Sequence, residues 1–234
     1  KGWLRPFTSW SKANENWFLN ELQPRRTLEE LKADIHLSFD TVMRYHIYDA
    51  TDHESHGCSA LAKEKRSILK SWLLLLIHTM PPTWHIHALC KELIDSFMYI
   101  TMNKAYLLAI LNADKPSFTD YSEVCQGPNH SGATCGAWEM IHAVTVGVVE
   151  YNKMGFERSE TIETKNALGV IADFIRTFGV GDDPTTQTLL LKEIGSCQSN
   201  PECLASSVQT SEGDTRQHEV LSEWKRLPLW MCKA

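Results

Sequence analysis

The sequence predicts an all-α protein, and three kinds of observation lead to that fold class. Apolar residues recur at three- and four-residue spacings through several long stretches, which is the period of a helix rather than of a strand. Helix-starting motifs precede these stretches, and glycine or proline follows several of them. Of the 234 residues, 43% are hydrophobic and 22% are charged, which is ordinary for a globular protein with an ample core.

Four helices are predicted in the first half of the chain from local signals. A capping box, Thr27 with Glu30, opens the first helix, because each side chain can bond the other residue's backbone N–H. A pair of prolines ends the second helix, and Thr83 is the expected N-cap of the third. The predicted spans of the four helices are 28–47, 61–80, 84–100 and 105–111.

The second half of the chain holds a central apolar stretch over residues 135–151. Its large apolar residues fall on one helical face, although its many β-branched residues leave a buried strand as the competing interpretation. We favour a helix because the stretch is long and because Trp138 and His142 lie four residues apart, on one face. Further helices are predicted over residues 160–178, 183–195 and 218–226.

Charge and cysteine content restrict the partners and the compartment. A net charge of −6 argues against a nucleic acid or an anionic membrane as the partner. The longest strongly apolar run, residues 72–77, is far too short to span a bilayer, so no transmembrane segment is expected. Seven cysteines and a glycosylation sequon at Asn129 favour the secretory pathway, the extracellular space or another oxidising lumen.

Local disulfides are the expected use of most of these cysteines. Two pairs lie close in sequence, and each pair bounds a short loop of turn-forming residues. A third pair would join two cysteines of the first half of the chain. The expected disulfides are Cys125–Cys135, Cys197–Cys203 and, as the third, Cys58–Cys90.

The loop and helix that begin at Cys125 resemble a known family. A Cys-Gln-Gly loop leads through a glycine to Cys135, and a Cys-x-x-Trp-x-x-x-His helix follows without a gap. This pattern is similar to the start of the Erv-type domain of quiescin sulfhydryl oxidases. The resemblance implies that Trp138 and His142 would lie against the flavin if FAD is bound.

The resemblance also implies two packed, disulfide-stapled helical bundles. In the family, a flavin-free Erv-like bundle precedes the Erv-type four-helix bundle. Three divisions of this chain follow: an arm over residues 1–26, an Erv-like pseudo-domain over 27–124, and an Erv/ALR-type sulfhydryl-oxidase-like domain over 125–234. The arm is rich in aromatic residues, which we expect to pin it onto the body of the protein or onto a partner.

The chemistry of a flavin-dependent thiol oxidase requires a redox dithiol beside the flavin, and Cys-x-x-Cys at a helix start supplies it. No Cys-x-x-Cys occurs in this sequence. Where the family carries that motif, after a helix that here ends at Phe178, residues 181–184 read Gly-Asp-Asp-Pro. The alternative dithiol is Cys197 with Cys203, a stretched form of the motif.

Two stretches carry residue types that ligate zinc. Residues 52–58 contain Asp, His, Glu and Cys, and residues 78–90 contain three histidines and Cys90. Neither stretch has four tightly patterned ligands, so no metal site is predicted.

The sequence therefore favours a catalytically degenerate, sulfhydryl-oxidase-like protein without FAD. It would bind protein partners as a structural or interaction subunit. The alternative is an active FAD-dependent thiol oxidase that forms disulfides with O2 as acceptor, using Cys197 and Cys203 beside Trp138 and His142. A third interpretation is an unrelated helical secreted protein whose match over residues 125–142 is accidental.

Overall fold

The computed structural model describes most of the chain between Thr27 and Gly179 and four residues beyond it. The described residues are 27–48, 60–114, 120–123, 125–126, 132–155, 162–179, 188, 191, 192 and 194. Within them the chain is helical and contains no strand, so the predicted all-α class is confirmed. None of their helices is long and apolar enough to cross a membrane. The helices are α1 (Leu28–Tyr45), α2 (Lys63–Thr79), α3 (His85–Asp95), α4 (Phe97–Met102), α5 (Lys104–Ala113), α6 (Gly132–Gly155) and α7 (Thr164–Phe178).

Local capping signals place the start of α1 and the end of α2 where the sequence predicts them. At the start of α1, the backbone N–H of Glu30 donates to Oγ1 of Thr27 over 3.2 Å, and the N–H of Thr27 donates to Oε2 of Glu30 over 2.7 Å. The capping box is therefore complete and satisfies two N–H groups that the helix leaves unpaired. Helix α2 ends at Thr79, just before the two prolines.

The third predicted helix is wrong in two respects. The stretch 84–100 forms two helices, because the chain turns at Ser96, where φ is −95° and ψ is 12°. Leu93, Phe97 and Ile100 keep a helical spacing across this turn, so periodicity carries no signal for the break. The N-cap of α3 is Trp84, which makes no side-chain capping bond, and not Thr83.

The central apolar stretch is a helix, which decides against the competing strand. Helix α6 makes its most extensive contact with α1 and also packs against α2. Helix α7 packs mainly against α2, where Trp72 and Phe174 stack with ring centroids 4.6 Å apart. Strand-prone residues such as Val144 and Val148 are buried in these contacts, so tertiary packing outweighs their local preference.

Two glycines set how closely α6 approaches its neighbours. A Cβ atom on Gly136 would lie 2.3 Å from the backbone oxygen of Asp34 in α1. A Cβ atom on Gly147 would lie 2.2 Å from the backbone oxygen of Thr79, the last residue of α2. No side chain larger than hydrogen fits at either contact without moving a helix.

One apolar core joins helices from both sides of the predicted domain boundary at residues 124 and 125. Buried side chains of α1, α2 and α3 belong to the same cluster as those of α6 and α7. The N-terminal arm over residues 1–26 and the helices predicted over 183–195 and 218–226 lie outside the described residues, apart from the few positions named above. The division into two bundles therefore stays a prediction.

Candidate functional site

The disulfide between Cys125 and Cys135 lies at the start of α6. Their sulfur atoms are 2.07 Å apart, and their Cα atoms are 5.3 Å apart. Both residues are buried, and Cys135 belongs to the first turn of α6. This geometry ties Cys125 to the helix start. It also keeps both sulfur atoms away from solvent, where a substrate thiol would have to attack.

Polar contacts with α1 fix the segment that leads into this disulfide. The carboxylate of Asp34 accepts hydrogen bonds from the backbone N–H and the hydroxyl of Ser122. The hydroxyl of Ser38 donates to the backbone oxygen of Ala133 over 3.0 Å. Asp34 and Ser38 are both buried, so these bonds meet the hydrogen-bonding needs of groups that water does not reach.

Trp138 and His142, the predicted flavin contacts, lie one helical turn apart on α6. Trp138 is half-buried and packs against the apolar core, whereas His142 is buried. The hydroxyl of Thr145 donates to the backbone oxygen of His142 over 2.8 Å. An indole and an imidazole one turn apart can line a flat aromatic ligand or complete a helix interface, and both uses are chemically open.

The other described cysteine, Cys90, is a poor nucleophile. It is a free thiol on α3 and is fully buried. Burial raises its pKa well above the ordinary value, and the nearby charge of Asp114 acts in the same direction. Because the thiolate is the reactive form, Cys90 is suited to packing rather than to thiol exchange.

Several predicted site residues lie outside the described part of the chain. They include the glycosylation site Asn129 and the cysteine partners Cys58, Cys197 and Cys203. The helix that would lead into the family's redox motif is described, and it ends as predicted at Phe178. Gly179 follows with a φ of 73°, a conformation that glycine adopts at little cost, and its N–H donates to the backbone oxygen of Ile175 over 2.9 Å.

A cluster that the sequence did not predict forms where α1, α3 and α5 meet. It consists of His36 in the middle of α1, His85 at the start of α3, and Asp114 just after α5. The two imidazole rings are tilted by 41°, with centroids 4.9 Å apart. His36 is buried, whereas the side chain of His85 is 55% exposed. The cluster therefore extends from the interior to the surface.

Burial dominates the electrostatics of His36 in this cluster. It lowers the pKa of His36 below the ordinary value. The charge of Asp114 opposes this shift, His85 adds to it, and Asp40 opposes it. The lowered pKa favours the neutral imidazole of His36, which has one nitrogen with a free lone pair.

Sequence spacing gave little signal for this cluster. Its members are 49 and 29 residues apart and belong to three different helices or helix ends. His85 and His87 both lie in the stretch 78–90, which carries zinc-ligating residue types, but residues two apart on a helix point in different directions. His87 is not part of the cluster. Only the packing of three elements brings the ligand-type atoms together.

Helices α4 and α5 present a further surface, which we call the α4–α5 face. Its four members are large apolar side chains that are exposed by between 43% and 67%. The rings of Tyr99 and Tyr106 lie 5.3 Å apart, so the face is continuous across the two helices. The four residues are Met98, Tyr99, Met102 and Tyr106.

Comparison with known proteins assigns no family to the chain. No protein-family model, no curated protein and no solved structure matches it. The likeness to quiescin sulfhydryl oxidases therefore depends on the motif at residues 125–142.

Proposed function

We propose that this chain is a sulfhydryl-oxidase-like helical protein that has lost catalysis. It would act as a structural or interaction subunit in an oxidising compartment. The observation that carries the proposal is the α4–α5 face, because methionines and aromatic side chains are enriched at protein interfaces. The predicted disulfide framework supports the oxidising compartment.

The α4–α5 face has the chemistry of a binding surface rather than of scattered surface apolar residues. Tyr99 and Met98 are each more than 60% exposed, next to the half-exposed Met102. Methionine adapts its shape to a partner, and tyrosine offers a large apolar ring with a polar end. Burying one such side chain is worth about 1.5–3 kcal/mol, so several together supply a substantial part of a binding free energy.

The described cysteines fit a structural role better than a catalytic one. Cys125 and Cys135 are joined and buried, and Cys90 is buried with a raised pKa. The residues that follow α7 at the place of the family's redox motif, 181–184, contain no cysteine. Each of these observations favours a structural use of the fold.

A change of the α4–α5 face tests the interaction role. The full chain, secreted by cells that make it, should be recovered in a complex well above its own 26.6 kDa by size-exclusion chromatography with light scattering. The double variant Tyr99→Asp, Met102→Asp should elute as the free chain. Ser67→Asp with Ser71→Asp adds the same charge at exposed positions of α2 and should leave the complex intact. A wild-type chain that elutes alone would contradict the proposal.

The second candidate function is an active FAD-dependent thiol oxidase with Cys197 and Cys203 as its dithiol. The observation that favours it is the placing of Trp138 and His142 on one face of α6, directly after the disulfide. This function requires a yellow protein that makes hydrogen peroxide from dithiothreitol and loses that activity on Cys203→Ala. A correctly folded, colourless protein without thiol-dependent oxygen consumption would favour the interaction role.

A further inference from the structure

The ligand-type atoms of the His36–His85–Asp114 cluster lie close enough together to share one metal ion. Nε2 of His36 lies 3.5 Å from Oδ2 of Asp114, and Nε2 of His85 contacts the other carboxylate oxygen, Oδ1. The ligand-type atoms of the three side chains all lie within 4.8 Å of one another. A tetrahedral zinc ion with bonds of about 2.1 Å holds its ligand atoms roughly 3.4 Å apart. The 3.5 Å between Nε2 of His36 and Oδ2 of Asp114 matches this separation, and the contact of His85 with the same carboxylate brings a third ligand to the ion.

Two of these atoms lack a hydrogen-bond partner. Nε2 of His36 and Oδ2 of Asp114 are buried, and neither has a hydrogen-bond partner. The 3.5 Å between them is long for a charge-assisted hydrogen bond, which is usually below 3 Å. Buried polar atoms are nearly always satisfied, so an unsatisfied pair that faces each other needs an explanation. A cation between the two atoms would satisfy both.

We propose that His36, His85 and Asp114 bind a divalent transition-metal ion, and that zinc is the ion they fit best. Two imidazole nitrogens and one carboxylate oxygen form a zinc-type ligand set, and three protein ligands leave the fourth position for water. Calcium and magnesium prefer sites built from oxygen atoms alone. The half-exposed His85 provides the path by which the ion enters.

Arg44 positions the third ligand. It lies on α1 two turns beyond His36, and it donates to Oδ1 of Asn112 over 2.7 Å and to the backbone oxygen of Leu111 over 2.9 Å. These bonds hold the end of α5 against α1, and the N–H of Asp114 donates to the backbone oxygen of Ile110 over 3.1 Å. Asp114 is therefore held opposite His36 whether or not an ion is bound.

The test is a metal titration of the purified full chain after treatment with EDTA. Zinc is added in competition with a chromogenic chelator, and cobalt is added in a parallel titration because its visible spectrum reports the ligand geometry. His85→Ala removes an exposed ligand, and Asp114→Asn keeps the side-chain shape. His46→Ala is the matched control, since His46 follows α1 and lies outside the cluster, ten residues or roughly 15 Å beyond His36.

We expect the wild-type chain to bind zinc and to give intense cobalt bands of tetrahedral type. Loss of an outer-shell partner commonly costs 10–100-fold in metal affinity, so each ligand variant should lose about 100-fold or more. His46→Ala should match the wild type. Circular dichroism of each variant establishes that it is folded.

Three results would overturn the proposal. The first is a wild-type chain that takes up no zinc in competition with the chelator. The second is an unchanged zinc affinity and cobalt spectrum in both His85→Ala and Asp114→Asn, because the ion would then lie elsewhere. The third, measured by adding Fe(II) in the same competition, is tighter binding of Fe(II) than of zinc, which reverses the usual order of affinities and would overturn the assignment of zinc.

Discussion

The interfaces of α6 and the α4–α5 face are both apolar, but they differ in how closely they are packed. At α6, Gly136 and Gly147 bring helices together until no added methyl group fits. On the α4–α5 face, Tyr99 and Met98 are mostly exposed to solvent. The contrast shows that apolar content alone does not distinguish a surface that stabilises the fold from one that can bind a partner. The distance from each apolar residue to its nearest neighbouring atoms does distinguish the two kinds of surface.

Of the two regions, the glycine contacts of α6 should be the more sensitive to substitution. Gly147→Ala and Gly136→Ala should each lower the free energy of unfolding by about 3 kcal/mol, because the added Cβ meets backbone atoms that cannot move alone. Urea denaturation followed by circular dichroism measures the change. Gly169→Ala, at a half-buried position of α7, should instead change stability by at most about 1 kcal/mol, in the stabilising direction. Equal effects at all three glycines would remove the distinction.

Removal of the disulfide at the start of α6 should have the next largest effect on stability. Replacing Cys125 and Cys135 by serine should lower the free energy of unfolding by about 2–3 kcal/mol, because the bond closes a short loop with a sequence separation of 10. The same denaturation experiment measures this loss. Wild-type protein unfolded in the presence of dithiothreitol should lose at least as much, because the reductant also opens any other disulfide. A loss of less than about 1 kcal/mol would mean that the packing against α1 holds the segment without the bond.

The capping box of α1 tests the contribution of local structure to the same interface. Thr27→Ala should cost about 1 kcal/mol, because the N–H of Glu30 loses its acceptor at the start of the helix that packs against α6. Thr27→Ser keeps the hydroxyl and should stay within a few tenths of a kcal/mol of the wild type. Thermal or urea unfolding of the three proteins gives the ranking. If Ser and Ala proved equally harmful, the methyl group of Thr27 would be what matters.

The α4–α5 face should be the least sensitive to substitution in the isolated chain. Tyr99→Asp with Met102→Asp should change the free energy of unfolding by no more than about 0.5 kcal/mol, because both side chains are at least half exposed. Urea denaturation of the purified variant measures this. A loss comparable to that of Gly147→Ala would show that the face belongs to the core, and the interaction role would then lose its surface.

Helix identity was largely predictable because its signals are local. The capping box at Thr27 and Glu30, the prolines after Met80 and the glycine after Phe178 all act within a few residues of the helix ends. Each lies where the sequence expects it. The turn at Ser96 has no such signal, because Leu93, Phe97 and Ile100 continue the helical spacing of apolar residues across it.

The candidate flavin pair was partly predictable for the same reason. Trp138 and His142 lie four residues apart, so their common face follows from the helix alone. What they face does not follow from the sequence. Their use as flavin contacts stays a prediction, which the visible absorption spectrum of the purified protein would test.

The sequence by itself determined the helical class, most helix ends and the short-range disulfide between Cys125 and Cys135, because these depend on neighbours in the chain. Tertiary structure alone decided the rest. The His36–His85–Asp114 cluster, the glycine contacts of α6 and the exposure of the α4–α5 face each depend on which helices meet and at what distance. Side chains tens of residues apart have no shared period, so only the packed core brings them together.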